Sequence, residues 1–216
     1  GREIRKAFRA KEKGWKIFSA DYSQIELRVM AHLSQDPELV KAFHEKEDIH
    51  SRTASLVYGV PLDDVLPEMR RAAKVVNFGI MYGAGPFRMS QELGIPMDEA
   101  RTIIESYFDQ YSGIKTYIEE TLTKAREKKL VSTLLGRQRP VWEIESQNQI
   151  RKRAAERMAI NMPIQGTAAE MIKLAMTAIH KEILITYMAN RAPLLPLLFL
   201  SLQPTRFSYI PGDHTW

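Results

Sequence analysis

The chain has 216 residues, 44% hydrophobic and 26% charged, enough for a real core in one large or two small domains of ordinary globular composition. It has no cysteine, which excludes a disulfide framework and a thiolate metal site. No run is long and apolar enough to span a bilayer, since Leu194–Leu202 is short and broken by Pro196. The net charge of +5 is concentrated in two segments, residues 1–16 (seven basic, two acidic) and 124–157 (ten basic, four acidic), which leaves the rest of the chain net negative. Concentrated Lys and Arg suit a polyanion-binding surface, because each phosphate contact releases counterions. A pair of solvated faces would look the same.

The chain begins at Gly1 rather than Met and shows no signal-peptide pattern, so it reads as part of something longer. Lys16–Asp21 (KIFSAD) predicts a short strand. Ser23-Gln24-Ile25-Glu26 then fits a Ser-x-x-Glu capping box, opening a helix that buries Ile25, Val29 and Leu33. Asp36-Pro37 predicts an N-cap and an N1 proline, with a helix from about Glu38. Asp48 caps a third helix, ended by Gly59.

A longer helix is expected from about Pro67 to Tyr82, stopped by Gly83, Gly85 and Pro86. Helices at 86–93, 97–111 and 114–129 follow, the last two separated at Ser112-Gly113. Leu130–Pro140 reads as a hairpin turning at Gly136-Arg137. Two final helices, about 147–161 and 165–185, are expected to break at Pro163. The tail from about Leu184 is apolar, proline-rich and aperiodic, and receives no structural assignment. The fold class is α+β, mostly helical.

Two constellations could carry chemistry. Asp21-Tyr22-Ser23-Gln24-Ile25-Glu26-Leu27-Arg28 places a carboxylate where a strand meets a helix, and with a backbone carbonyl and waters it could hold Mg²⁺. Alone, it is more simply a turn acid followed by a capping box. In the second, Arg70, Lys74 and Phe78 are four residues apart on one helix face, with Tyr82 at its edge. That face offers two cations for a triphosphate and two rings for a base. Gly79 inside the helix costs about 1 kcal/mol relative to Ala, which makes sense if something approaches the backbone closely. An amphipathic helix with solvated cations is the simpler reading of this segment by itself.

Together and in this order, DYSQIELR resembles motif A of family A DNA polymerases, and Arg70-x-x-x-Lys74-x-x-x-Phe78-Gly79-x-x-Tyr82-Gly83 resembles their motif B. Arg157-x-x-x-Asn161-x-Pro163-x-Gln165-Gly166-Thr167 is similar to the family's helix pair along the primer–template minor groove. Gly1–Arg5, Asp48-Ile49-His50 and Gly136-Arg137 agree too, so the resemblance runs over about residues 1–183. It implies polymerase fingers plus an incomplete palm of the right-hand fold. Residues 1–34 would be palm with motif A, 35–129 fingers, 130–183 the return to the palm, and 184–216 an atypical tail.

The resemblance implies a DNA-directed DNA polymerase that transfers dNTPs to a primer 3′ end by a two-Mg²⁺ mechanism in replication and repair. Asp21, with Tyr22 beside it, matches the metal site, and Asp21 and Lys74 match catalytic positions, Lys74 as proton donor to the leaving pyrophosphate. His50, Arg70 and Lys74 match triphosphate contacts, and Phe78 matches the ring against the incoming base and sugar. Glu26 matches the gate that excludes a ribose 2′-hydroxyl, with Tyr82 its neighbour. Arg157, Asn161 and Gln165 match minor-groove contacts, useful because that groove presents acceptors at every base pair. Primer–template DNA and dNTPs are the implied partners, with no membrane and no obligate protein partner, and the implied location is cytoplasmic, at the bacterial nucleoid.

The family's motif C, a hairpin whose His-Asp-Glu supplies a second metal-bridging carboxylate, should follow the last matching helix. Residues 184–216 contain no such string, and their one acid, Asp213, stands in the turn-like Pro211-Gly212-Asp213-His214. The tail resembles a changed reading frame or a chimeric end. The expectation is a chain that does not polymerise unaided. The alternatives are a non-catalytic primer–template binding remnant and a relative of the single-subunit RNA polymerases, which share a related motif B but lack the Glu26-type gate.

Overall fold

Short polar side chains set several of the helix starts. The computed structural model describes Ile4, residues 6–11 and residues 20–190, the side chains of 184–190 excepted. Most of the strand expected at Lys16–Asp21 lies outside these residues, as does the tail from residue 191. By contact the chain divides into two compact units, one formed by residues 1–25 with 171–216 and the other by residues 26–170.

In the larger unit, α1 (Ile25–Ser34) is followed by α2 (Pro37–His44) and α3 (Ile49–Tyr58). Asp36 Oδ1 accepts from the Leu39 N–H at 2.9 Å, and Asp48 Oδ1 accepts from the Ser51 N–H at 2.8 Å. Each aspartate thus satisfies a backbone donor that the first helical turn cannot. Gly59 closes α3 at φ 64°, a left-handed conformation that costs glycine least. These starts and stops agree with the sequence reading. The start of α1 does not. Gln24 has φ 53° and the helix begins at Ile25, one residue later than a Ser23 N-cap would start it. The most buried side chains of α1 are Leu27 and Met30, with Val29 and Ala31, whereas Ile25 and Leu33 are only half-buried.

The long helix α4 (Pro67–Met81) runs where the spacing predicts, and α3 packs extensively along it. Then come α5 (Pro86–Leu93), α6 (Met97–Gln110) and α7 (Ser112–Lys128). The break between α6 and α7 falls at Tyr111, and Ser112 and Gly113 belong to α7. The reason is long-range: Asp36 Oδ2 accepts from the Gly113 N–H at 2.8 Å, completing the helix start that local sequence appeared to interrupt. Here glycine serves close approach, since a Cβ at position 113 would stand 2.7 Å from the Asp36 Cα.

Strands β1 (Leu130–Ser132) and β2 (Gln138–Pro140) pair antiparallel, Leu130 opposite Pro140 and Ser132 opposite Gln138, with Gly136 at φ 86° in the turn. They pack with α7 and the last helix around Ala125, Val131, Val141, Ile144, Ala155, Ala159 and Met162. That helix, α8 (Gln149–Asn190), is continuous, so the expected break at Pro163 is absent. An interior proline costs about 3 kcal/mol through its lost donor and ring clash. Burial of Ala159, Met162, Ile164 and Ala168 on either side opposes that cost, and Thr167 adds a hydrogen bond to the Pro163 carbonyl at 2.5 Å. Thr167 Oγ1 also accepts from the Leu134 N–H at 3.0 Å, tying the helix to the hairpin. The backbone stays helical through residues 184–190, past the point where the sequence reading stops.

In the smaller unit, the described residues include a turn in which the Ala7 N–H donates to the Ile4 carbonyl at 3.1 Å. Leu174 and Met176 on its part of α8 are exposed.

Candidate functional site

The period of α4 divides its residues between core and surface. Ala73, Val76, Asn77, Ile80 and Met81 are buried, while Arg70 and Lys74 are exposed and Phe78 is half-buried. Lys74 Nζ lies 5.7 Å from the centre of the Phe78 ring, at cation–π range. Phe78 stands between two further rings, His50 and Tyr82, each with its centroid 5.8 Å away. The expected close approach at Gly79 is to the protein itself, because a Cβ there would meet Met89 Cε of α5 at 2.7 Å. Beside this face is an open groove of about 330 Å³, lined by Arg71, Lys74, Phe78 and Tyr82, with Arg88 and Glu92 of α5 opposite.

Arg70 points to α3. Its Nε donates to Asp48 Oδ1 at 3.1 Å and its Nη2 to Oδ2 at 2.7 Å, a two-point clamp on the same carboxylate that caps α3. Burial pushes the Asp48 carboxyl upward, but the hydrogen bonds from Arg70 and Ser51 and the guanidinium charge outweigh it and hold Asp48 below the usual range. The Arg70 guanidinium is pushed up, first by its hydrogen bond to Asp48.

His50, two residues into the same helix, is buried, at 3% exposure. Burial pulls its imidazole pKa down; Asp48 opposes this, and Arg70 and Lys74 reinforce it. Its Nδ1 lies 3.1 Å from the amide nitrogen of Asn77. Asn77 also donates to the Ala73 carbonyl at 3.0 Å and shares a hydrogen-bond pair with Thr53.

Glu26 on α1 accepts a hydrogen bond from the Tyr82 hydroxyl at the C-terminal end of α4. The Tyr82 pKa is pushed up to about 12, first by burial and then by this bond, while the Gln165 side chain hydrogen-bonds the same residue and pulls the other way. Gly83, at φ 68°, closes the turn, and a Cβ there would come 3.2 Å from Arg157 Cγ on α8. Asn161, between Arg157 and Gln165 on α8, has its Oδ1 buried without a hydrogen-bond partner.

Within the larger unit the fold therefore brings Glu26, His50, Arg70, Lys74, Phe78 and Tyr82 together along α1, α3 and α4, and links Gln165 to Tyr82. Asp21 is exposed and Tyr22 half-buried in the smaller unit. Among the described residues no three His, Cys, Asp or Glu side chains gather as a metal site. Sequence reasoning missed Asp48 as the partner of Arg70, Asn77 as the partner of His50, and Arg71, Arg88 and Glu92 in the groove. A signal for Asn77 did exist: an amide at a core position of α4, flanked by Ala73, Val76 and Ile80.

The model of DNA polymerase family A matches residues 1–195. Similar curated proteins include the thermostable DNA polymerase I of Thermus aquaticus, 51% identical over 183 residues, covering 85% of this chain and 22% of that protein. DNA polymerase I of Deinococcus radiodurans is also 51% identical over 183 residues, covering 85% of this chain and 19% of that protein. The chain thus spans about a fifth of the length of the curated relatives it matches. Among solved structures, the POL domain of Pol1 from M. smegmatis, in complex with DNA primer-template and dNTP, is similar with a TM-score of 0.77. It is 43% identical, and the match covers 81% of this chain and 31% of that one.

Proposed function

This chain belongs to DNA polymerase family A, and from that premise we propose that it forms the dNTP- and template-facing part of a DNA-directed DNA polymerase. Residues 1–34 serve as part of the palm, 35–129 as the fingers and 130–183 as the return to the palm. The observation that carries the reading is the convergence on one helix face of Arg70, Lys74 and Phe78 with His50, ending in a tyrosine bonded to Glu26.

On this reading Arg70, Lys74 and His50 hold the triphosphate, and Phe78 packs on the base and sugar. Lys74 is placed to give a proton to the departing pyrophosphate, on which negative charge grows. Glu26, fixed by Tyr82, fills the space a ribose 2′-hydroxyl needs. Arg157, Asn161 and Gln165 follow the minor groove, with Gln165 exposed on α8.

Mg²⁺ is the cofactor this chemistry calls for, assisting attack of the primer 3′-hydroxyl and departure of pyrophosphate when bound. The described residues do not complete its site. Asp21 and the Tyr22 main-chain carbonyl would supply part of the octahedral shell of a hard divalent ion; among the described residues no three acidic or imidazole side chains gather to complete it, and residues 184–216 carry no His-Asp-Glu string. The 216-residue chain by itself is therefore read as a binding module for dNTP and primed DNA.

The test is photocrosslinking of an azido-dATP to the chain, competed by unlabelled dNTPs and compared with Lys74→Ala and Arg70→Ala. Label at α4 that dNTPs displace and the substitutions abolish is the expected result. Undisplaced or undiminished label would defeat the assignment.

A further inference from the structure

We propose that Asn77 sets the proton of His50: its amide nitrogen holds Nδ1 of the imidazole unprotonated, leaving Nε2 as the ring's sole N–H. One of the groups around the Asn77 amide can only accept. The Ala73 carbonyl lies 3.0 Å from Asn77 Nδ2, so the amide nitrogen, not the oxygen, must face it. That fixes the other end of the amide: Asn77 Oδ1 lies 3.1 Å from Thr53 Oγ1, whose hydroxyl donates to it. One N–H of Asn77 remains, and it has His50 Nδ1 at 3.1 Å and Thr53 Oγ1 at 3.0 Å as acceptors.

A proton on Nδ1 would face an N–H₂ group with no oxygen between them. Asn77 and Thr53 have no exposed surface and His50 has 3%, so water does not relieve such a mismatch, and buried polar groups left unpaired are costly. The charged groups around the ring are Asp48, on its own helix, and Arg70 and Lys74, across on α4. Two cations against one carboxylate, itself clamped by Arg70, leave little to hold a second proton on the imidazole.

The consequence is chemical direction. With Nδ1 engaged from the core side, the donor left to the ring is Nε2–H, the form suited to an anionic oxygen. That use of it as a phosphate contact rests on the proposed polymerase reading; the tautomer itself does not. Asn77 is thus a positioning residue that acts through His50.

The experiment is ¹⁵N-edited NMR on the full 216-residue chain with labelled histidine and asparagine, the His50 signals being assigned by their loss in His50→Gln. The expected spectrum shows a pyrrole-type Nε2, an unprotonated Nδ1, and a scalar coupling from Nδ1 across the hydrogen bond to the Asn77 side-chain nitrogen. In Asn77→Asp the acceptor is inverted, and the proton should move onto Nδ1; in Asn77→Leu the coupling is lost and an Nδ1–H population appears. A protonated Nδ1 in the unsubstituted chain overturns the proposal whether or not the variants fold, as does an unchanged tautomer in a folded Asn77→Asp. Addition of dATP tests the other premise: a shifted Nε2 resonance supports the phosphate contact. The expected tautomer with no response to dATP defeats the nucleotide reading while leaving the role of Asn77 standing.

Discussion

The Tyr82 hydroxyl donates to the Glu26 carboxylate across 56 positions of sequence, binding the second residue of α1 to the residue that ends α4. Glu26 is held from outside its own helix. On the proposed reading Glu26 must exclude one hydroxyl, a task that calls for a fixed side chain because an apolar pocket alone discriminates against an added hydroxyl only about 10²-fold. In a chain completed with a motif C hairpin after Ile183, Glu26→Ala should lower deoxy-over-ribo selectivity toward that limit. Tyr82→Phe, which keeps the carboxylate but frees it, should lower selectivity less. Single-nucleotide insertion, comparing kcat/KM for the two sugars, measures this. Equal loss for both sugars would mean that Glu26 only supports the fold.

The unmodified chain is expected to bind primed DNA weakly and to extend no primer. Its basic segment 124–157 and the absence of a His-Asp-Glu string from residues 184–216 motivate both halves. Fluorescence anisotropy should show affinity falling steeply from low to physiological salt, as counterion release requires. Templated synthesis by the 216-residue chain would show that the second carboxylate is supplied elsewhere.

Asp48 performs two tasks that substitution separates. Asp48→Asn keeps an N-cap acceptor and loses the charge opposite Arg70, a partly exposed pair (45% and 38%) that contributes about 0–1 kcal/mol. Asp48→Ala loses the cap as well and should cost about 1 kcal/mol more by urea denaturation. The folded carboxyl titrates below its ordinary 3.8, so its contribution is complete above that value and is lost as pH falls through the depressed one. The unsubstituted chain and Asp48→Asn should therefore differ in stability at pH 6 and converge under strong acid. A difference that grows on acidification contradicts the assignment.

Asp36 is nearly inaccessible, at 1% exposure, and satisfies one backbone N–H on α2 and one on α7. Asp36→Ala leaves both unpaired and should destabilise by about 2–4 kcal/mol, at about 1–3 kcal/mol for each buried donor less what water recovers. Gly113→Ala should cost about 1–3 kcal/mol by overpacking, since its Cβ would press on the Asp36 backbone. Because both changes break one contact, the double variant should lose less than the two single losses combined. Additive losses would show that the sites act independently.

The features that were legible in the sequence are those whose cause is local. Asp36, Asp48 and Gly59 announce helix ends through chemistry within three residues, and the cations and rings of α4 are arrayed by its period alone. The sequence failed where the deciding partner is distant. Ser112-Gly113 looks like a break until Asp36 is seen to complete the helix, and Pro163 looks like a stop until buried neighbours hold both sides. Ser23 reads as a cap because four-residue patterns carry no sign of the left-handed Gln24. For the candidate site, the helix-borne residues could be listed from spacing, but their pairing could not. The Arg70–Asp48 clamp, the Asn77–His50 contact and the Tyr82–Glu26 bond all join different elements.

The Asp36–Gly113 contact also bears on how the chain folds. Its two partners are 77 positions apart, and the carboxylate engages the second amide only after the chain between them has been brought back on itself. Closing so long a loop is entropically unrewarded until the intervening helices have packed. The bond is therefore expected to form in the final descent to the native state rather than in the rate-limiting nucleus. Weakening it should leave the folding arm of a chevron plot nearly unmoved and raise the unfolding arm, making this aspartate a brake on escape from the folded state.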